Sequence, residues 1–552
     1  MKNNKKSKIN LWSSSTLGLL TLYTIFLIVP LLILLSDSFI DSRTGQFTLA
    51  NFQRFFEKEY YYSTLFNSFK ISITITFVAV VLGTVLAFFF ARFKIKGAKG
   101  LRILIILSSM SAPFVGAYSW ILLLGRNGVV TKFFENLLNI EMPDIYGFKG
   151  ILLVLALQLY PLIFLYVSGA FSNVDNSLLE ASENLGCSGI KRFFKVIFPL
   201  ILPTVLAGAL LVFMRCFSDF GTPMLIGEGF RTFPITIYDA YMSELGGNNG
   251  FAASIAVLAI IITLIIFLVQ KYISEKNSFT MNSINKIRPK KIYGLKNVLI
   301  HIYSYVLISL SIAPQAYVIY TSFKNVNGTV FTSGYSFESY RIAFSKMGTA
   351  IKNTIIIPLT ALIFVLIIAV FIAYLVVRKR SKATAVIDTV SMVPYIIPGI
   401  VVGIALSSAF NKPPLVLTGS MTIMVIALII RRLPYTIRST VATLQQIPLT
   451  VEEASLSLGA SNIKTFWKIT IPMMSAGIIS GAILSWITMI SELSSAILLY
   501  TGRTRTLTIE VYTQVLRGNY GVAAALATIL ALLTVLSLIL FNKVNKGKDL
   551  SM

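Results

Sequence analysis

The sequence predicts an all-α polytopic membrane protein of about 12 transmembrane helices, built as two tandem six-helix repeats. Three observations carry that expectation. Hydrophobic residues make up 55% of the chain and charged residues 13%, with a mean hydropathy of +0.78, too apolar for a soluble fold. Apolar runs long enough to cross a hydrocarbon core of roughly 30 Å, which takes about 20 helical residues, recur along the whole length. The second half also repeats the first at a nearly fixed offset.

The runs fall at 15–36, 67–91, 101–124, 150–171, 199–220 and 251–270, then at 297–321, 353–377, 385–410, 417–437, 473–498 and 521–541. No small-residue cleavage site follows the first, which therefore reads as an anchor rather than a removable signal peptide. Between the sixth and seventh lies "KYISEKNSFTMNSINKIRPKKIYGLK" (271–296), polar and basic, a linker joining two formerly separate subunits. The expected organisation is a six-span half over 1–275, a cytoplasmic linker over 276–296 and a second six-span half over 297–552.

A net charge of +26 would suit nucleic acid, but the placement of the basic residues argues for topology instead. Lys2, Lys5, Lys6 and Lys8, the 92–102 loop, the 172–198 loop, the linker, "RKRSK" at 378–382, the 431–468 segment and the 543–548 tail all fall on one side of the alternating spans. That side holds about twice the Lys and Arg of the other, the positive-inside pattern. Both termini are thus expected in the cytoplasm, and no nucleic-acid partner is expected.

Few residues offer chemistry of their own. Cys187 and Cys216 are placed too differently for a disulfide, no metal-ligand spacing occurs, and the lone His301 reads as an interfacial residue at the start of the seventh span. No catalytic constellation is found.

The repeat is clearest in one loop. A shift of 273 residues lays "EASENLGCSGIKRFFKVIFP" (180–199) on "EASLSLGASNIKTFWKITIP" (453–472) without a gap, 11 of 20 positions being identical. The same shift pairs Ser218 and Asp219 with Ser491 and Glu492, and "GNNGFAA" (247–253) meets "GNYGVAA" (518–524) at a shift of 271. Six spans per copy is even, so both copies cross the membrane in the same sense, related by an axis along its normal, with a pathway between them.

Ser177-x-x-Glu180 and Thr450-x-x-Glu453 each fit a capping box at a helix start. Gly186 or Gly459 then permits a turn, and Ser188 or Ser461 opens a second short helix. Its Ile190, Phe193, Phe194 and Ile197, or Ile463, Phe466, Trp467 and Thr470, follow i, i+3, i+4, i+7 spacing and would form one largely apolar face. Two such helices make a knob at the membrane surface. A plain interfacial connector would look similar once, but a filler loop has no physical need to keep Glu, Gly and Pro at the same spacing twice.

At these residues the chain resembles the membrane subunits of binding-protein-dependent ABC importers of the type I fold. Their signature, Glu-Ala-Ala, three residues, Gly, then nine residues to a hydrophobic-Pro element, is matched by Glu180, Ala181 and Gly186 with Ile197 and Pro199 beyond. The second match is Glu453, Ala454 and Gly459 with Ile469 and Pro472 beyond. Ser182 and Ser455 replace the third signature residue, small for small. The resemblance implies that each knob is a coupling helix seated in an ATPase subunit, so that two ATPase copies attach. ATP and Mg are then used by the ATPase while this chain binds no cofactor. It further implies an extracytoplasmic substrate-binding protein and a multi-pass location in the plasma membrane of a prokaryote, in contact with lipid. The absence of a G-x-x-x-x-G-K-[ST] phosphate loop agrees with an energy source on another polypeptide. The segments 218–239 and 491–512 most resemble the ferric-iron importer branch, with thiamine, phosphonate and polyamine permeases sharing parts of the pattern.

Asp219 and Glu492, toward the end of the fifth span of each half, are the candidate pathway residues, because a carboxylate near hydrocarbon is costly unless it faces water or a partner. Two readings stay open. The pair lines a gate and attracts a cation such as a hard ferric ion, or both sit just outside the membrane, capping or pairing with Arg231 or Arg503. Arg215, one turn before Asp219, could neutralise it as an i, i+4 pair, and the aligned residue Thr488 would leave the second half without that charge.

Two rival classes fit less well. A six-plus-six secondary transporter would be expected to carry a shared basic signature in the second-to-third loop, which "ARFKIKGAKGLR" and "RKRSKATAV" do not provide. A membrane-embedded enzyme would need clustered catalytic groups in the spans.

Overall fold

The computed structural model describes residues 11–41, 44–110, 113–242, 249–276, 285, 287 and 289–544. The first lysines, Gly247 and Asn248, residues 277–284, 286 and 288 of the linker and the 545–552 tail lie outside the described residues.

Among them, eight helices are long and apolar enough to cross a membrane, and three bent helix pairs raise the total to eleven. The remaining expected stretch, the tenth, is also helical, Met421–Gln445, but Arg431, Arg432 and Arg438 make it too polar to qualify by composition. Helices satisfy every backbone amide within one segment, the condition a hydrocarbon environment imposes. Among the described residues the strands are those of one antiparallel hairpin, Lys324–Asn327 with Val330–Tyr335, between the seventh and eighth spans, and isolated bridges join Ile40 to Phe47 and Phe93 to Lys290.

The third span of each half is broken. Lys382–Ile396 and Gly399–Ala409 meet at 111° around Pro398, and Ala98–Ser109 meets Phe114–Leu138 at 103°. A proline lacks the amide that would continue the ladder and disfavours helix in the residue before it, so the break is expected there.

Close packing within each half rests on matching small residues. Gly208 and Gly481, 273 positions apart, face Ile163 and Thr436, which are separated by the same shift. A Cβ on Gly481 would stand 2.7 Å from Thr436 Cα, and one on Gly208 would stand 3.1 Å from Ile163 Cδ1. Small residues let two backbones approach where lipid supplies no hydrophobic drive between helices.

Each half lends its first span to the other. In Trp12–Ser38, the Trp12 ring packs 4.6 Å from Tyr374 and 5.3 Å from Phe466, and Phe26 lies 5.7 Å from Phe410. In Gly294–Thr321, Tyr303 Oη donates to the Leu82 carbonyl at 3.1 Å and Ser311 Oγ to Tyr160 Oη at 3.0 Å. His301 has a structural role, its Nε2 accepting the Lys96 amide at 3.2 Å. The halves are therefore clasped, and the surface between them is where a shared site can form.

Candidate functional site

Two features of the repeat converge on chemistry: a cavity between the halves and the paired loops at 175–199 and 448–472.

A cavity of about 310 Å³ is lined from both halves, and Arg215, Asp219 and Glu492 all face it. The wall follows the repeat. Under the 273 shift Gln158 pairs with Arg431, Leu159 with Arg432, Leu162 with Tyr435, Arg215 with Thr488 and Asp219 with Glu492, and every one of these residues lines the cavity. Pro161 and Pro434 keep that register in the two helices that supply the first three pairs. Equivalent positions meeting across a pseudo-axis is what two parallel copies predict.

The fifth span ends at Phe217 in one half and at Ile490 in the other, so both carboxylates lie just past a helix end. Each caps the turn that follows: the Thr222 amide donates to Asp219 Oδ2 at 3.1 Å, and the Ser495 amide to Glu492 Oε1 at 3.0 Å. Because Asp219 has left the helix, it does not share a helical face with Arg215, and no ion pair joins the two among the described residues. Neither carboxylate pairs with the arginines first considered. Arg231 bonds Asp239 at 3.1 Å, and Glu492 takes Arg431 on one carboxylate oxygen and Arg432 on the other.

That double pairing was missed in the sequence because it joins residues some sixty positions apart. The signal was available in the Pro161/Pro434 register, which sets Gln158 and Leu159 against two adjacent arginines in a helix that must cross hydrocarbon. Room for Arg431 comes from Gly399, where a Cβ would stand 2.5 Å from Arg431 Nη1 and 2.8 Å from Ser494 Cβ.

In the paired loops, the helix–turn–helix outline is present but its caps differ from expectation. Neither capping box forms. Asp175 caps Asn176–Asn184 by accepting the Ser177 amide at 2.9 Å, and Glu180 instead takes the Asn176 side chain at 2.6 Å. Pro448 precedes Leu449–Ser457 without a side-chain cap. The turn that follows is as read: Gly186 at φ +74° and Gly459 at φ +86°, backbone that strains any residue with a Cβ. Ser461 caps Asn462–Thr465 by accepting the Lys464 amide.

The second helix is not a separate knob arm in the first half. It runs through a π-turn at Phe193–Ile197 into the fifth span, whereas in the second half Asn462–Met473 is bent 65° from Ser475–Ile490. Its apolar residues do not share one buried face either. Ile197, Phe466 and Thr470 are buried, Phe194, Ile463 and Trp467 are exposed, and the Ile190 side chain lies outside the described residues.

Glu180, Ala181, Glu453 and Ala454 are exposed, while Ser182 and Ser455 are buried, with Ser455 Oγ 2.9 Å from Thr465 Oγ1. The neighbouring Glu452, which the signature does not include, is buried against Arg378 at 2.8 Å, where the first half has the buried Leu179. In the first loop Arg192 bonds Glu183 at 2.8 Å and holds that carboxyl below its ordinary value. Immediately before each turn glycine stand Leu185 and Leu458, 87% and 90% exposed, the two most exposed large hydrophobic residues of the described chain. They are 273 positions apart. Their identity in the repeat alignment was the signal, since a solvated turn has no use for the same leucine twice.

Among the described residues no cluster of three or more His, Cys, Asp or Glu side chains could hold a metal ion.

Comparison with known proteins covers both halves. The chain is 29% identical over 542 residues to a ferric transport system permease protein of Actinobacillus pleuropneumoniae, an alignment spanning 95% of this chain and 77% of that one. A putative ferric transport system permease protein of Haemophilus influenzae is 29% identical over 506 residues, 89% of this chain and 78% of that one. A molybdenum transport system permease protein of Haemophilus influenzae is 27% identical over 214 residues, 38% of this chain and 91% of that one. Residues 79–278 and 365–549 each match the family described as binding-protein-dependent transport system inner membrane component. With that match made twice on one clasped pair of six-span halves, the chain belongs to this family, as the fused double permease of an ABC importer that works with ATPase and substrate-binding partners and is not itself an enzyme.

Proposed function

We propose that this permease carries ferric iron, delivered from outside by its binding protein, through the cavity lined by Asp219, Glu492 and Arg215. The observation that carries the substrate is the extent of the likeness. Relatives whose names specify ferric transport align with both halves, over 95%, 89% and 87% of the chain, while those for molybdenum, spermidine/putrescine and 2-aminoethylphosphonate cover 38%, 48% and 46%.

In this reading two ATPase copies seat on the loops carrying Glu180, Ala181, Ser182 and Gly186, and Glu453, Ala454, Ser455 and Gly459. Leu185 and Leu458 supply the apolar anchors, since large exposed apolar side chains rimmed by polar ones mark interaction sites. Those loops face the cytoplasm, as do both termini. ATP and Mg act in the ATPases, and this chain holds no cofactor. Closure of the ATPase dimer draws the loops together, the cavity opens outward to take cargo, and hydrolysis returns it inward.

Uptake of labelled ferric iron by iron-starved cells lacking the gene, with and without its restoration, tests the substrate. Uptake indifferent to the gene sends the substrate to polyamine, phosphonate or thiamine and leaves the permease assignment standing.

A further inference from the structure

The cavity wall carries three guanidiniums, Arg215, Arg431 and Arg432, against two carboxylates. Both oxygens of Glu492 are already occupied by Arg431 and Arg432, and Asp219 is engaged by the Thr222 amide. What faces the space is therefore more cationic than anionic. Arg215 reinforces that sign. Its side chain is exposed at the end of its helix, no ion pair engages it among the described residues, and it lines the same cavity as Tyr435. Arg432 approaches the same tyrosine, its guanidinium 5.9 Å from the ring centre. Arg215 and Arg432, from opposite halves, line the same cavity as this tyrosine.

The arginines are also under-satisfied. Among the described residues the Nε groups of Arg431 and Arg432 are buried with no acceptor, a state proteins rarely tolerate without a reason. The break before Gly399–Ala409 adds to the field, since Ile397 lines the cavity and an 11-residue helix begins two residues on with its positive end there. A bare trivalent cation would be repelled by this wall. A planar or tetrahedral oxyanion matches it, because guanidinium forks pair with such oxygens two at a time.

From this arrangement we infer that the cavity is an oxyanion site, held by Arg215 of one half and the Arg431/Arg432 pair of the other, and that cargo crosses with anionic oxygen ligands on it. The inference rests on reading the cavity as the translocation pathway. The asymmetry of the repeat has a use in it: Glu492 fixes two arginines in place, and Arg215, whose counterpart is Thr488, supplies the free charge on the facing wall.

The test is equilibrium binding of [32P]phosphate to the full chain in lipid nanodiscs at constant ionic strength, with citrate and ferric citrate as competitors. Expected is saturable binding that weakens by about tenfold or more in Arg215→Gln, weakens less in Arg215→Lys, which keeps the charge but loses the fork, and tightens in Asp219→Asn. Displacement by ferric citrate alone supports both the site and a cargo that carries its anion; equal displacement by citrate supports the oxyanion site and overturns the metal-bound cargo. Absence of saturable binding, or equal affinity in wild type and Arg215→Gln, overturns the inference. Because binding is read without transport, a failure of the ferric substrate in cells leaves this result interpretable on its own.

Discussion

Glu492 holds two arginines, whereas Asp219, its counterpart one repeat earlier, accepts the Thr222 amide and no arginine among the described residues. The backbone device is the same in both halves, a carboxylate capping the turn after the fifth span, but the charge environment is not. The copies have thus kept a common frame and diverged in the cavity, so substitutions at repeat-related positions should have unequal effects.

The two loops give the first prediction. Leu185→Asp and Leu458→Asp alter side chains that are almost wholly exposed, so stability should change within about 0.5 kcal/mol. ATPase capture should fall sharply in the double variant and partly in each single one, as measured by co-purification from detergent with insertion checked in parallel. Undiminished capture by the double variant would remove the leucines from the contact.

Adjacent glutamates should behave oppositely. Glu452→Ala leaves Arg378 buried and unpaired, which costs about 3–5 kcal/mol, and should lower the melting temperature markedly. Glu453→Ala should leave melting unchanged and impair ATP-driven transport. If the two variants melt alike, the buried pair does not hold this loop.

The left-handed turns predict a third effect. Alanine at Gly186 or Gly459 must adopt positive φ, at about 1–2 kcal/mol each. The double Gly→Ala variant should show faster local hydrogen exchange across 183–189 and 456–462 with the spans unaffected. Unchanged exchange in these segments would show that the loops reshape freely.

Gly399→Ala should be worse than its size suggests, because the added carbon enters the space of Arg431. Overpacking of this kind costs about 1–3 kcal/mol, and release of Arg431 from Glu492 should depress transport further. Gly169→Ala is the control, with nothing within 4 Å of its Cβ position. Equal melting temperatures for the two variants would contradict the contact.

The Arg192 hydrogen bond depresses the Glu183 carboxyl below its ordinary value of 4.5. A lowered folded value means that the contribution is full above pH 4.5 and is lost as pH falls through the depressed value. The melting difference between wild type and Glu183→Gln should therefore be constant near neutrality and vanish only in strong acid. A difference that instead grew on acidification would reverse the sign.

Much of this was legible in the sequence where the cause is local. Spans follow from apolar length, the turns from glycines that must go left-handed, and the repeat from identical residues at identical spacing. The first capping box failed because Asp175, two residues upstream of Ser177, caps the helix instead, and the second because its helix already starts after Pro448, which puts Thr450 inside it. The face of Phe466 and Trp467 was misassigned because Trp12, more than four hundred residues earlier, captures one ring and leaves the other out. Glu492 found Arg431 and Arg432 through the fold, not through the helical spacing that had suggested Arg215 for Asp219. Long-range partners of this kind enter only when helices from both halves are packed.

The most direct test of the account is labelled ferric uptake in iron-starved cells lacking the gene, restored either with wild type or with Leu185→Asp/Leu458→Asp at matched membrane levels. The account predicts uptake with wild type and background with the double variant. Equal uptake in both strains would contradict coupling through the paired loops.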